Sequence, residues 1–346
     1  MKMRALAKVR PGPGLELVEV DVPRPGPDDV LIRVTATSIC GTDVHIYRWD
    51  SWSQHRIKPP LILGHEFAGE IVEVGRRVTH LKPGMAVSAE GHIVDHTCPA
   101  CRAGQLHLCE NVRVIGIDRP GSFAEYLVVP AENVWVNLPE LPPEIASLQD
   151  PFGNAVHTAY AFDVAGQHVL VTGCGPIGLM VIPVLRVLGA KLIVATDVNN
   201  RRLGLARHMG ADVTLNAAQE DVVTAVRDLT AGGADVVLEM SGAPQAIRQG
   251  LEALRPGGRM AALGLTGRSW ELDWNELVVI KGITLKGIYG RRIWETWHQM
   301  RGLLESGAVD LAPLITHRIS LDAYEEGFAK LMAPGDDVVA KVVMLP

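Results

Sequence analysis

The chain has 346 residues, long for one core and comfortable for two domains. Hydrophobic residues make up 47% and charged residues 21%, the formal net charge is -6 and no basic tract occurs; this excludes a disordered chain and makes nucleic acid a poor partner. The opening MKMRALAKVRPG lacks the apolar stretch of a secretion signal, and no run of 18 uncharged apolar residues occurs, so a cytoplasmic protein with no membrane span is expected.

The first 150 residues read as β-rich. Apolar or alternating runs at Val30 to Val34, Ala68 to Val74 and Phe123 to Val129 are separated by turns such as Pro11-Gly12-Pro13-Gly14 and Pro83-Gly84. From residue 151 the texture changes to strands alternating with helices, which implies a parallel sheet covered on both faces. The spacing predicts a strand at His168 to Thr172, a helix at Ile177 to Leu188, a strand at Leu192 to Thr196 and a helix at Arg201 to His208. Strands follow at Asp235 to Met240, Arg259 to Leu263 and Thr284 to Gly287, then a helix at Ile293 to Leu304. The domains expected are 1–150, 151–292 and a segment 293–346 that returns to the first. No internal repeat or low-complexity segment is present.

Three groups of residues carry chemistry. Residues 168–178 read HVLVTGCGPIG, a strand running into Gly173, Gly175 and Gly178, with Ile177 opening a helix. The first glycine makes the turn, the second admits a pyrophosphate, and the third lets the helix pack on the strand; the helix N-terminus offers free N–H groups to the phosphates. Asp197 ends the next strand, 19 residues after Gly178, where a carboxylate suits the ribose hydroxyls of NAD and repels the 2′-phosphate of NADP. Arg201 and Arg202 temper that preference, and Arg202 is placed over the adenosine side. Gly264, Leu265 and Thr266, with Ile288 and Tyr289, follow strands at their C-terminal ends and are expected on the nicotinamide side.

Cys40, His65 and Glu66 offer thiolate, imidazole and carboxylate, a set suited to zinc with an open position. Thr42 stands two residues after Cys40, and His45 can carry a proton onward near neutral pH. Cys98, Cys101 and Cys109 form the third group; five cysteines, three of them clustered, point to a metal rather than a disulfide framework.

CGTDVHIY, GHEFAGEI, HTCPACRAGQLHLC and VTGCGPIGL occur in the order and spacing of the zinc-containing medium-chain alcohol dehydrogenases, and the chain resembles that family along its whole length. The resemblance implies an α/β protein with a GroES-like β-rich catalytic domain and a Rossmann doubly wound domain. It implies catalytic zinc at Cys40, His65 and Glu66 and a proton relay through Thr42 and His45. Asp150, in DPFGNAVHT, stands where the family has a further ligand or a relay carboxylate, and the relay role is favoured. A structural zinc is implied at Cys98, Cys101 and Cys109, but Asp95 replaces the family's fourth cysteine. Three readings stay open there: zinc on Asp95 and three thiolates, a lobe held by packing alone, or a site that sheds its metal. His96 is an alternative ligand if the loop shifts.

Within the family the nearest resemblance is to the members that oxidise L-threonine. It is carried by CGTDVHIYRWDSW, GHIV with His92, DPFGNAVHT, GRRIWETW and LITHRI. The reaction implied converts L-threonine and NAD to L-2-amino-3-oxobutanoate and NADH, with His92 near the substrate; the alternative is oxidation of a polyol or 2,3-diol. A homotetramer is implied, and Thr284 to Gly287 offers a strand for pairing across subunits.

Overall fold

A computed structural model describes residues 1–333 and 338–346. The chain forms two compact units. The first is built on Met1–Asp150 with the later strands Ile315–Ser320 and Lys341–Leu345, the second on Pro151–Leu311. The helix Glu295–Glu305 therefore belongs to the second unit, and the chain returns to the first at Ala312 rather than at residue 293. Burial explains the shift: that helix sinks Trp297, Met300 and Leu303, and Met300 packs beside Gly153 of the second unit.

In the first unit the strand Asp29–Ser38 is the organiser. Its run of Val, Leu, Ile and Thr suits a pleated, buried position, and it pairs with Glu66–Val74, Tyr126–Pro130 and Lys341–Leu345. Val30, Ile32, Val34, Phe67, Ile71 and Leu127 form one apolar core around it. Leu6, Ile39, Ile46, Leu63, Phe123 and Phe328 form another. Register fixes the position of the chemistry. Ser38 lies opposite Glu66 on one side and Val343 on the other. The ends of three strands, from distant parts of the sequence, therefore meet where Cys40 leaves the sheet. Phe123 and Ala124 fall outside the strand expected for them. They pair instead with the first strand, Lys2–Lys8, through Leu6 N–H to Phe123 O (2.7 Å) and an Ala5–Ala124 bridge.

In the second unit six parallel strands stand in the order Val213–Asn216, Leu192–Asp197, His168–Thr172, Ala234–Glu239, Leu254–Ala262, Thr284–Gly287. Numbered by sequence that order is 3-2-1-4-5-6, the doubly wound arrangement with its switch point beside His168–Thr172. The inner strands are buried almost throughout, as helices on both faces require. Thr284–Gly287 is an exposed edge strand. The short strand Val213–Asn216, which hydropathy alone does not single out, completes the other edge.

Candidate active site

Cys40 is the N-cap of the helix Gly41–Arg48, in extended conformation. Asp43, three residues on, reaches back and accepts the Cys40 N–H at 2.9 Å, a capping-box geometry that fixes the thiol at the helix mouth. Gly64 precedes His65 with φ +91, and a Cβ there would lie 2.3 Å from the ring of Phe123. Only glycine fits both the conformation and the contact, and it turns His65 and Glu66 toward Cys40.

One donor atom from each of Cys40, His65 and Glu66 lies within 4.8 Å of the others. Two polar atoms behind them, Nδ1 of His65 and Oδ1 of Asp43, are buried without a hydrogen-bond partner among the described residues and stand 3.8 Å apart. Burial pushes the Asp43 carboxyl up to about 6. Burial also opposes charge on His65, but Asp43 and Cys40 outweigh it and hold the imidazole well above its usual value. The pocket therefore favours positive charge at this point. With a soft thiolate, an imidazole and a carboxylate converging, the residues suit a zinc ion, and Asp43 suits the second-layer carboxylate that orients a ligating histidine.

Glu66 has its own cation. Its Oε2 accepts from Ser38 Oγ and from Lys341 Nζ, and Lys341 also donates to Ile39 O at 3.2 Å. Both charged groups are buried. Burial alone would lower the Lys341 pKa, and Glu66 raises it instead.

The other expected residues group around this cluster to different degrees. Thr42 Oγ1 is 3.8 Å from Cys40 Sγ. The exposed His45 meets Asp50 through Nδ1 at 2.5 Å. Asp50 also caps the helix Ser51–Arg56 by accepting from Ser53 N and Oγ. Asp150 is buried in the first turn of the helix Gln149–Ala159. It is outside the converging triad, yet its charge reaches His65. His92 is held through Nδ1 and its backbone N–H, both against Oε1 of the fully buried Glu90, at 2.8 and 2.9 Å.

The second cluster comes from one short segment. Donor atoms of Asp95, Cys98, Cys101 and Cys109 lie within 4.8 Å of one another. Asp95 Oδ1 accepts from Thr97 N (2.8 Å) and Cys98 N (3.1 Å), with Cys109 Sγ 3.6 Å away. Asn111 donates to Oδ2 at 2.5 Å. Asn111 and the two backbone N–H groups keep the Asp95 carboxyl well below the usual carboxylate range. Burial and the neighbouring sulfurs push the Cys101 thiol up to about 12, while backbone N–H groups lower that of Cys98. Three crowded sulfurs that cannot share negative charge unaided, beside an anionic carboxylate, suit a divalent cation. His96 points elsewhere, its Nε2 3.2 Å from Glu132.

In the second unit Gly173 (φ +93) turns the chain out of its strand, and Gly175 caps the helix Pro176–Val187. A Cβ on Gly178 would lie 1.9 Å from Gly173 O, so the helix packs as close as the motif requires. A Cβ on Gly175 would meet nothing within 4 Å, so that side of the turn is open to a phosphate. Ile177 is half-buried on the first helical turn. Asp197 accepts from Cys174 N (2.8 Å) and Asn199 N (2.9 Å), with Arg202 4.0 Å away. Gly264 packs so tightly that a Cβ would lie 2.1 Å from Gly242 N. Leu265, Thr266 and Tyr289 are exposed, whereas Ile288 is buried. The turn, the acid and the open side fit a dinucleotide.

Sequence reading missed Asp43, Ser38, Glu90, Asp50 and Lys341. Two left a signal: Asp43 sits at the capping-box position after Cys40, and Lys341 is a lone cation in the apolar run VVAKVVML.

Residues 26–140 match the alcohol dehydrogenase GroES-like domain, and residues 176–306 match the zinc-binding dehydrogenase model. The chain is 53% identical to L-threonine 3-dehydrogenase of Symbiobacterium thermophilum over 99% of its own length and 98% of that protein's. It is 51% identical to that of Pyrococcus horikoshii over 99% of each. The crystal structure of 2R,3R-butanediol dehydrogenase from Bacillus subtilis superposes with a TM-score of 0.90 at 30% identity, covering 99% of each chain. With both family models matched in succession and full-length relatives above 50% identity, the chain belongs to the zinc-binding alcohol dehydrogenase family, among its L-threonine 3-dehydrogenases.

Proposed function

We infer that this protein is an NAD-dependent, zinc-dependent enzyme that oxidises the side-chain alcohol of L-threonine to L-2-amino-3-oxobutanoate. The observation that carries this is identity of 53% and 51% with threonine dehydrogenases along the whole chain, against 30% with a 2,3-diol dehydrogenase. Bound zinc supplies Lewis acidity toward the alcohol oxygen, and NAD supplies the hydride acceptor.

The protein's own residues hold and move charge. Cys40, His65 and Glu66 are proposed as the catalytic metal ligands, and Asp43 orients His65. Thr42 receives the alcohol proton and His45 passes it to solvent. Asp150 is proposed as a relay carboxylate, and His92, steadied by Glu90, as a substrate contact. Asp95, Cys98, Cys101 and Cys109 are proposed to hold a second zinc. Gly173, Gly175, Ile177 and Gly178 take the pyrophosphate of NAD, Asp197 and Arg202 its adenosine side, and Gly264, Leu265, Thr266, Ile288 and Tyr289 its nicotinamide side.

A homotetramer in the cytoplasm completes the proposal. The exposed edge strand Thr284–Gly287 supports association, and five free cysteines suit a reducing compartment. Among the described residues no helix is long and apolar enough to cross a membrane.

The test is NADH formation at 340 nm with L-threonine, with and without prior chelation, beside sorbitol, 2,3-butanediol and ethanol. Turnover of threonine that chelation abolishes is expected. Turnover of the other alcohols alone would overturn the substrate while leaving cofactor and metal.

A further inference from the structure

A cavity of about 640 Å³ lies in the first unit, within the usual range for small-molecule sites. It takes no lining from the metal clusters. Its walls combine Val18, Val20 and Ile62 with four cations, Arg56, Lys58, Arg113 and Arg119, and one carboxylate, Asp118.

That carboxylate is already used. Arg56 grips Asp118 with both guanidinium nitrogens, and Asp118 Oδ2 also accepts Val114 N at 2.8 Å. Lys58 and Arg113 form no salt bridge among the described residues. Arg119 is half-buried, and among the described residues its side chain makes one hydrogen bond, to Val128 O at 3.1 Å. Burial, and Arg113 nearby, pull its pKa below the ordinary arginine value against the opposing pull of Asp29. The surplus of positive charge is local, because the chain as a whole carries -6.

We propose that this cavity binds a small organic phosphate monoester, its phosphate against Lys58, Arg113 and Arg119 and its apolar body against Val18, Val20 and Ile62. A dianionic head suits paired guanidinium groups, which take phosphate oxygens in forked geometry. The apolar wall selects an ester over the free ion.

The test is calorimetric titration of phenyl phosphate into the zinc-loaded protein saturated with NAD, so that the dinucleotide site is closed to the probe. Saturable binding is expected, weakened at least tenfold in the double variant K58Q/R113Q. Both residues are exposed, so the variant should keep its thermal midpoint and its threonine oxidation, which serve as controls on folding. Absence of saturable binding, or equal affinity in the double variant, would overturn the site. Equal affinity for inorganic phosphate would overturn the ligand class, because the apolar wall would then contribute nothing.

Discussion

The two donor clusters of the first unit are built in opposite ways. Cys40, His65 and Glu66 depend on long-range partners: Ser38 is 28 residues from Glu66, and Lys341 is 275 residues from it. The Asp95 cluster takes every donor from residues 95–109 and closes on backbone N–H groups two and three residues away. One therefore reports on the fold of the whole unit, and the other is a local clasp. Disturbing the first should reach both chemistry and global stability. Disturbing the second should stay within its loop.

The largest effect expected is on turnover. Removing the proposed metal ligand by His65→Ala should cost several kcal/mol of transition-state stabilisation, about 10³-fold or more in kcat/KM for threonine. Zinc content should fall by one equivalent, and an unchanged rate would remove His65 from the site. Next comes the buried pair. Lys341→Ala leaves Glu66 buried without its cation and should destabilise the protein by about 3–5 kcal/mol. Urea unfolding reads this directly, and a wild-type midpoint would break the claim that the first cluster is tied to the fold.

Asp43→Asn keeps the shape and removes the charge behind His65. A loss of about 10–100-fold in zinc affinity or activity is expected, measured by competition with a chromophoric chelator. The smallest change sharpens the other side of the comparison. Asp95→Cys replaces a hard donor by a soft one, so release of the zinc proposed for this lobe should slow by about tenfold. The unfolding midpoint should move little. A large global stabilisation by D95C would show that the lobe is more than a local clasp.

The legible parts of this molecule are those whose physics is local. The glycine turn at 173–178 could be read because backbone conformation at Gly173 and close approach at Gly178 leave glycine no substitute. The acid at Asp197 could be read from its distance to that turn, and the clustered cysteines from their spacing. Two of the missed residues act across the sheet. Ser38 and Lys341 are ordinary residues until register sets them against Glu66, whereas Asp43, Asp50 and Glu90 lie two to five residues from the groups they hold, and the sequence does not say which way their side chains turn. The domain boundary fell nearly twenty residues early for a similar reason. Strand–helix alternation ends at Gly287, but the helix after it still buries Trp297, Met300 and Leu303 in the second unit.

The pair between Glu66 and Lys341 also sets a schedule. During synthesis Glu66 emerges from the ribosome 275 residues before its partner. At 5–20 residues per second that interval is on the order of tens of seconds. All six strands of the second unit are made within it. Until Lys341 is made, the first unit lacks the partner that Glu66 takes in the finished sheet, so this pair forms only after every strand of the second unit has been synthesised.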